Sequence, residues 1–277
     1  MAYLITDCGR QVYFEDHGVD AGREDLQTLL LIHGWGMSVR CWDPILPDLV
    51  EHGLRVVSLD HRGCGRSDKD FADMGIDAIA SDVANLVDYL KLHRVVLNGW
   101  SLGGAVAVAA ASRLGATCAG LVLTGGATPV YTEKPDFPHG GTDAGMAETL
   151  AAYTGNRVDF LQGLSTVVCV REVGANVENW FWQIFLQASP LAGATLGELA
   201  QLDQRQMLLA LDVPILSAFG SEDGFVAPPI CRWVGENHPR AENVEFAGVG
   251  HAPFLEARDD YLSALHNFLN NTAGAAV

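Results

Sequence analysis

Positive charge is scarce in this chain: 17 Lys and Arg residues stand against 34 Asp and Glu, a formal net charge of −17 over 277 residues. A surface of that sign repels phosphate backbones and anionic headgroups, so neither nucleic acid nor a membrane surface is an expected partner, and a polyanionic substrate is disfavoured. Patterned cysteine is missing as well. The six cysteines, at 8, 41, 64, 118, 169 and 231, show no C-x-x-C pair and no metal-ligand spacing, so a reduced cytoplasmic compartment is the economical reading and no metal is expected. Cys64, in the loop after Asp60, reads as filler in a tight loop, with a place on a pocket wall as the alternative. A basic start followed by an apolar stretch is absent: Met1 to Asp16 alternates like two short strands around a Cys8-Gly9 turn. No window is long and apolar enough to span a bilayer, and there is no internal repeat or low-complexity segment.

What the chain does have is apolar content, 49% of its residues, enough to fill a sizeable core. Strand-like runs such as Leu29-Leu30-Leu31-Ile32, Val56-Val57-Ser58-Leu59, Val95-Val96-Leu97 and Leu121-Val122-Leu123 alternate with helix-like stretches. That is the rhythm of an α/β protein, a parallel sheet covered by helices on both faces. Ile79, Val83, Leu86, Val87 and Leu90 fall on one helical face that should pack on the sheet. The rhythm breaks at Ala127. From there to about Met207 no strand is evident; a Gly- and Pro-rich loop leads into helical stretches near 146–153, 159–169, 177–187 and 195–204. The expected organisation is a core of residues 1–126 and 208–277 with a helical cap, 127–207, inserted after the sixth strand over the strand ends where ligands bind.

Chemistry concentrates at three places. Gly99-Trp100-Ser101-Leu102-Gly103-Gly104 sits between the apolar run at 95–97 and the alanine-rich stretch Ala105 to Ala111. A sharp strand-to-helix turn strains its central residue and needs side-chain-free neighbours, so Ser101 should stand exposed on an elbow with the helix start beside it. Val213 to Phe219 reads as a buried strand running out into Gly220-Ser221-Glu222-Asp223. Gly248-Val249-Gly250-His251-Ala252-Pro253 then carries a histidine into a final amphipathic helix. The order is serine, acid, histidine. A serine hydroxyl needs an imidazole to take its proton, and the imidazole needs a carboxylate to fix its tautomer.

With the loop His33-Gly34-Trp35-Gly36 after Ile32 and the Asp60-His61-Arg62-Gly63 turn after Leu59, these motifs resemble the α/β-hydrolase superfamily along the whole chain. Gly-Gly-Ala-Thr-Pro at 125–129 makes it most similar to the cofactor-free haloperoxidase and arylesterase group. The resemblance implies an eight-stranded, mostly parallel sheet with an inserted cap. It also implies a catalytic triad of Ser101, Asp223 and His251, and an oxyanion hole formed by the backbone N–H groups of Trp35 and Leu102. Asp223 is preferred to Glu222 because it takes the fourth place of the family's G-x-x-D pattern. The family's other location for the acid holds Gly125-Gly126 and has no carboxylate. His238 and His266 also follow the acid, but His266 reads as a helix-face residue. The resemblance gives His33 a bracing role, and Glu256 reads as support.

The implied activity is serine-dependent hydrolysis of a small neutral carboxylic ester, without metal or organic cofactor. Lactone, carbon–carbon bond or peracid chemistry on the same triad, and a non-catalytic small-molecule receptor, are the alternatives. The group usually has proline where this chain has Gly36, a departure that weighs against perhydrolysis. In the cap, Trp180-Phe181-Trp182 with Phe185 is the densest aromatic cluster, and at most two of the four can face the site together. Trp180 and Trp182 are the expected pocket wall.

Overall fold

The computed structural model describes residues 2–17 and 27–274. Met1, 18–26 and 275–277, which fall within the expected core unit, lie outside the described residues. Eight strands, β1 (Ala2–Ile5), β2 (Gln11–His17), β3 (Thr28–Ile32), β4 (Arg55–Leu59), β5 (Val95–Trp100), β6 (Cys118–Thr124), β7 (Ile215–Gly220) and β8 (Ala241–Phe246), form one sheet in the order β1-β2-β4-β3-β5-β6-β7-β8. The β1–β2 and β2–β4 pairs are antiparallel and the other five parallel.

The central strands are apolar without interruption because both of their faces are covered. Their side chains alternate between two layers. Leu30, Ile32, Val57, Leu97 and Leu121 face one cluster, and Leu29, Leu31, Val56, Val96 and Val122 the other. The first layer is closed by α2 (Ile76–Tyr89) and α3 (Leu102–Leu114). The expected face of α2 is the buried one: Ile79, Val83, Leu86 and Val87 are all inside. The second layer is closed by α1 (Leu46–Glu51) and the C-terminal helix.

Between β6 and β7 the chain is helical, with α4 (Asp143–Gly155), α5 (Arg157–Val167), α6 (Ala175–Leu186), α7 (Gly193–Gln201) and a short α8 (Arg205–Leu209). Thr142 caps α4 and Asn156 caps α5, each accepting a bond from the first turn. After β7, α9 (Pro228–Asn237) returns to the sheet. The single final helix expected from the sequence is broken into α10 (Pro253–Glu256) and α11 (Arg258–Gly274). The break falls at Ala257, whose φ of −135° and ψ of 48° are not helical, and the preceding Glu256 carboxylate turns back to accept from Gly250 N and Ala252 N.

From β3 the chain crosses to β4 on one side and later to β5 on the other. The carboxyl ends of β3 and β5 therefore flank a switch point, the place where open α/β sheets hold their ligands. Ile32 is in register with Gly99, which sets the loop after β3 against the turn after β5.

Candidate active site

Ser101 occupies that switch point with φ 56° and ψ −122°. A non-glycine residue in this region is strained and must be held by its surroundings. Ser101 N donates to Thr124 O (3.1 Å), and Ser101 O accepts from Gly104 N and Ala127 N, both at 2.8 Å. The flanking glycines are dictated by distance. A Cβ on Gly99 would lie 2.1 Å from Gly103 O, and one on Gly103 would lie 2.2 Å from Ile32 O. The elbow can close only with bare backbone at both places.

Asp223 is buried, and both of its carboxylate oxygens are engaged. Oδ1 accepts from Phe225 N (2.8 Å) and Val226 N (2.9 Å), while Oδ2 lies 2.7 Å from His251 Nδ1. That bond assigns the Nδ1 proton to the carboxylate side and leaves Nε2 free to accept. Glu222, its neighbour in sequence, is exposed. The imidazole lies between two aromatic rings, Phe225 stacked at 4.9 Å and Trp100 tilted at 5.5 Å.

Backbone bonds fix the His251 loop on every side. His251 N donates to Val168 O (3.0 Å) and Trp100 Nε1 donates to His251 O (2.8 Å). Glu256 Oε2 accepts from Gly250 N, Val170 N and Arg171 N at 2.8 to 2.9 Å, and Oε1 from Ala252 N at 3.2 Å. The Arg171 guanidinium closes the arrangement with bonds to the carbonyls of Ala247, Gly248 and Glu256. One carboxylate therefore ties the histidine loop to the turn between α5 and α6.

Ser101, His251, Trp35 and Leu102 share the wall of one cavity of about 300 Å³. Ser101 Oγ forms no hydrogen bond with the imidazole at rest, and such bonds commonly tighten only once substrate is bound. The Leu102 N–H opens α3 and has no intrahelical partner, and neither it nor the Trp35 N–H makes a backbone hydrogen bond among the described residues. Two unspent donors thus adjoin the serine.

The remaining histidines are committed elsewhere. His33 is fully buried, its Nδ1 bonded to Gly34 O (2.7 Å) and its Nε2 accepting from His61 N (2.9 Å). It ties the loop after β3 to the loop after β4 and stacks on His61 at 3.7 Å. Burial lowers the His33 pKa to about 4 and holds His61 well below the ordinary value. His238 bonds Leu211 O, and His266 bonds Asp48 Oδ1 at 2.8 Å. Asp48, His52 and His266 each bring a ligand atom within 4.8 Å of the others, but they do not line the cavity. Cys64 is buried, its thiol pushed up to about 12 by burial and by Asp60, and it is not on the cavity wall either.

One sequence-based expectation is corrected. Trp180 and Trp182 do not line the cavity; Phe185 does. Trp180 stacks on Phe181 at 5.1 Å and Phe181 on Trp100 at 6.1 Å, so this part of α6 is a seam against the sheet. Successive helical positions point about 100° apart, and the rotation that buries Phe181 and Phe185 carries Trp182 off the cavity. Gly36 has φ +68°, and a Cβ there would lie 3.1 Å from Phe185. Proline requires φ near −65°, so a proline-bearing loop would follow a different path here, and Gly36→Pro would reshape the site. Tyr131, Phe225 and Arg171 were not anticipated. Phe225 lies two residues beyond the acid and could have been sought there; the Arg171 contacts, made across 76 to 85 residues, leave no local signal.

Comparison with known proteins agrees with this fold. A sequence profile of the alpha/beta hydrolase fold matches residues 27–162. The chain is 32% identical over 250 residues to a pimeloyl-[acyl-carrier protein] methyl ester esterase of Sodalis glossinidius, covering 87% of this chain and 93% of the relative. It is 29% identical over 234 residues to a non-heme chloroperoxidase of Streptomyces lividans, covering 82% and 83%. An esterase from Exiguobacterium antarcticum superposes with a TM-score of 0.91 at 25% identity, over 97% of this chain and 98% of the other. By fold, site architecture and relatives, the chain belongs to the alpha/beta hydrolase family.

Proposed function

We propose that this protein is a serine hydrolase that cleaves a small, neutral carboxylic ester through an acyl-enzyme on Ser101. The observation that carries the reading is the convergence on one cavity of a strained serine, an imidazole fixed by a buried carboxylate, and two unpaired backbone donors. His251, oriented by Asp223, takes the Ser101 proton as Oγ attacks the ester carbonyl, and the Trp35 and Leu102 N–H groups receive the oxyanion. The proton then passes to the leaving alcohol, and water releases the acyl group by the same route. Residues 127–207 act as the cap over a core of 1–126 and 208–277. The curated relative named as a methyl ester esterase supports an ester as the scissile group. The φ of +68° at Gly36 weighs against the proline-bearing loop of the haloperoxidase-like group, and so against perhydrolysis. Six free cysteines fit a reducing, cytoplasmic setting.

The test is a screen of p-nitrophenyl esters of graded chain length with the wild type and Ser101→Ala. When a triad acts as a unit, losing the nucleophile costs about six orders of magnitude in kcat. Ester turnover retained in a folded Ser101→Ala variant would refute the assignment. Tight binding of such esters without turnover by the wild type would favour a receptor.

A further inference from the structure

The cavity beside Ser101 does not end at the imidazole. A second space of about 450 Å³ adjoins it, with Tyr131, Met146, Thr149, Gly224 and Phe225 standing on the walls of both. Its remaining walls come from residues 132–145 and from Asp223, Ala227 and Pro228. Ser101, His251, Trp35 and Leu102 line the first space and not the second, which is reached past Tyr131, Gly224 and Phe225.

Acyl transfer gives the two halves of an ester different neighbours. As Oγ of Ser101 bonds to the carbonyl carbon, its proton moves to Nε2 of His251. When the bond from carbon to the alcohol oxygen breaks, that proton moves from Nε2 to the departing oxygen. The acyl half stays with Ser101 and the oxyanion donors, and the alcohol half leaves past the imidazole. The second space lies along the loop that flanks this imidazole, with Asp223 bonded to Nδ1 and Phe225 stacked on the ring. Resting on the serine-esterase reading, we propose that the second space is the leaving-group subsite and takes an uncharged polar alcohol larger than methanol, while the first chamber takes an apolar acyl chain.

The walls differ as this division requires. Met37, Phe160, Leu164, Val168, Phe185 and Leu196 face the first chamber. The second is bounded by Thr132, Thr142 and Thr149 and by the bare backbone of Gly140, Gly141 and Gly145. Thr149 spends its hydroxyl proton on Gly145 O, which leaves oxygen lone pairs for a hydroxylated ligand, whereas the buried Thr132 hydroxyl donates to Ala200 O and accepts from Lys134 Nζ. The Tyr131 phenol stands at the junction; burial and the Asp223 charge push its pKa up to about 12, so it remains a neutral donor. Among the described residues, Tyr131 and Asp223 are the ionisable ones on the wall of the second space, and the Asp223 side chain itself is buried. A carboxylate or phosphate on the alcohol would approach a protein of net charge −17, and the neighbouring Lys134 ammonium is already held by Thr132 Oγ1 and Ala200 O.

The test compares methyl hexanoate with glyceryl 1-monohexanoate for the wild type, Gly141→Phe and Gly145→Leu. Gly141 and Gly145 line the second space, and a Cβ on Gly141 meets nothing within 4 Å while one on Gly145 meets only Thr142 Oγ1 at 3.4 Å, so neither substitution is blocked at its Cβ. Two separate fillings, each checked by thermal melting, guard against one variant misfolding. The glyceryl-to-methyl ratio of kcat/KM should fall about tenfold in both, the scale of a lost pocket contact. Phe185→Ala, on the first chamber, should instead shift the preference between hexanoyl and acetyl esters. A glyceryl-to-methyl ratio that neither filling moves would overturn the proposal, as would one that moves only with Phe185. A wild type inert to both esters would refute the esterase reading itself, a separate result.

Discussion

Replacing Glu256 with Gln tests how much of the site depends on one carboxylate that never touches substrate. The Glu256 side chain is buried, and it accepts four backbone N–H groups at 2.8 to 3.2 Å. Glutamine can keep its carbonyl oxygen on the side of Gly250, Val170 and Arg171. Its amide NH2 then faces Ala252 N–H, donor against donor. The three retained bonds lose their ionic character, at about 1 kcal/mol each, and the opposed donor adds about 2 kcal/mol of unmet desolvation. Allowing for relaxation, about 3–5 kcal/mol is lost. For a chain of this size, with an unfolding entropy of about 2.1 cal/mol/K per residue, that lowers Tm by about 5–10 °C. Because two of the four N–H groups flank His251, kcat should fall with the melting temperature while KM for a short ester changes little. Differential scanning calorimetry and steady-state kinetics on the same preparation measure both. A Tm within 2 °C of wild type together with an unchanged kcat would show that Glu256 does not hold the histidine loop.

Asp223→Asn should cost about four orders of magnitude in kcat, the scale of a lost tautomer-fixing carboxylate, whereas Glu222→Gln at an exposed position should cost less than twofold; equal losses in ester assays would reassign the acid. The buried His33 binds its proton later than the unfolded chain does, so its contribution to stability is complete above pH 6.5 and lost as pH falls toward 4, by about 3 kcal/mol. Asp60, pushed up to about 6 by burial, acts in the opposite sense. The informative quantity is therefore the difference between wild type and His33→Gln in urea melts at pH 7.5 and pH 4, which should shrink by about that amount; a constant difference would contradict a neutral buried His33. Phe185→Ala should raise KM for hexanoyl esters by about tenfold and Trp180→Ala by less than twofold, since only the first lines the cavity; the reverse order would restore Trp180 to the pocket.

The elements that bring the site together were legible because each leaves a local mark. Gly99, Gly103 and Gly104 around Ser101 report a turn whose clearances admit no Cβ, and the uninterrupted apolar strands report a sheet buried on both faces. Asp223 and His251 are the candidates that motif and chain order single out, and the structure sets them 2.7 Å apart while Glu222 is exposed. What was not legible depends on how elements far apart in sequence meet. The rotation of α6 about its axis decides between Trp182 and Phe185, and apolar periodicity in a helix aromatic on several sides does not specify it. The break between α10 and α11 is a non-helical Ala257 that no helix-breaking residue type announces, and the Arg171 clamp is made of contacts across tens of residues. The φ of Gly36 is equally invisible in a sequence, although it determines whether proline is tolerated there.

The most direct measurement is mass spectrometry of the enzyme mixed with a slowly released acyl donor, such as p-nitrophenyl pivalate, and quenched during the burst of p-nitrophenol. The protein should gain the mass of one pivaloyl group, and peptide mapping should place it on Ser101. The adduct should be absent in Ser101→Ala and slow to form in His251→Ala. A burst without an adduct, or an adduct on any other residue, would contradict acyl transfer through Ser101.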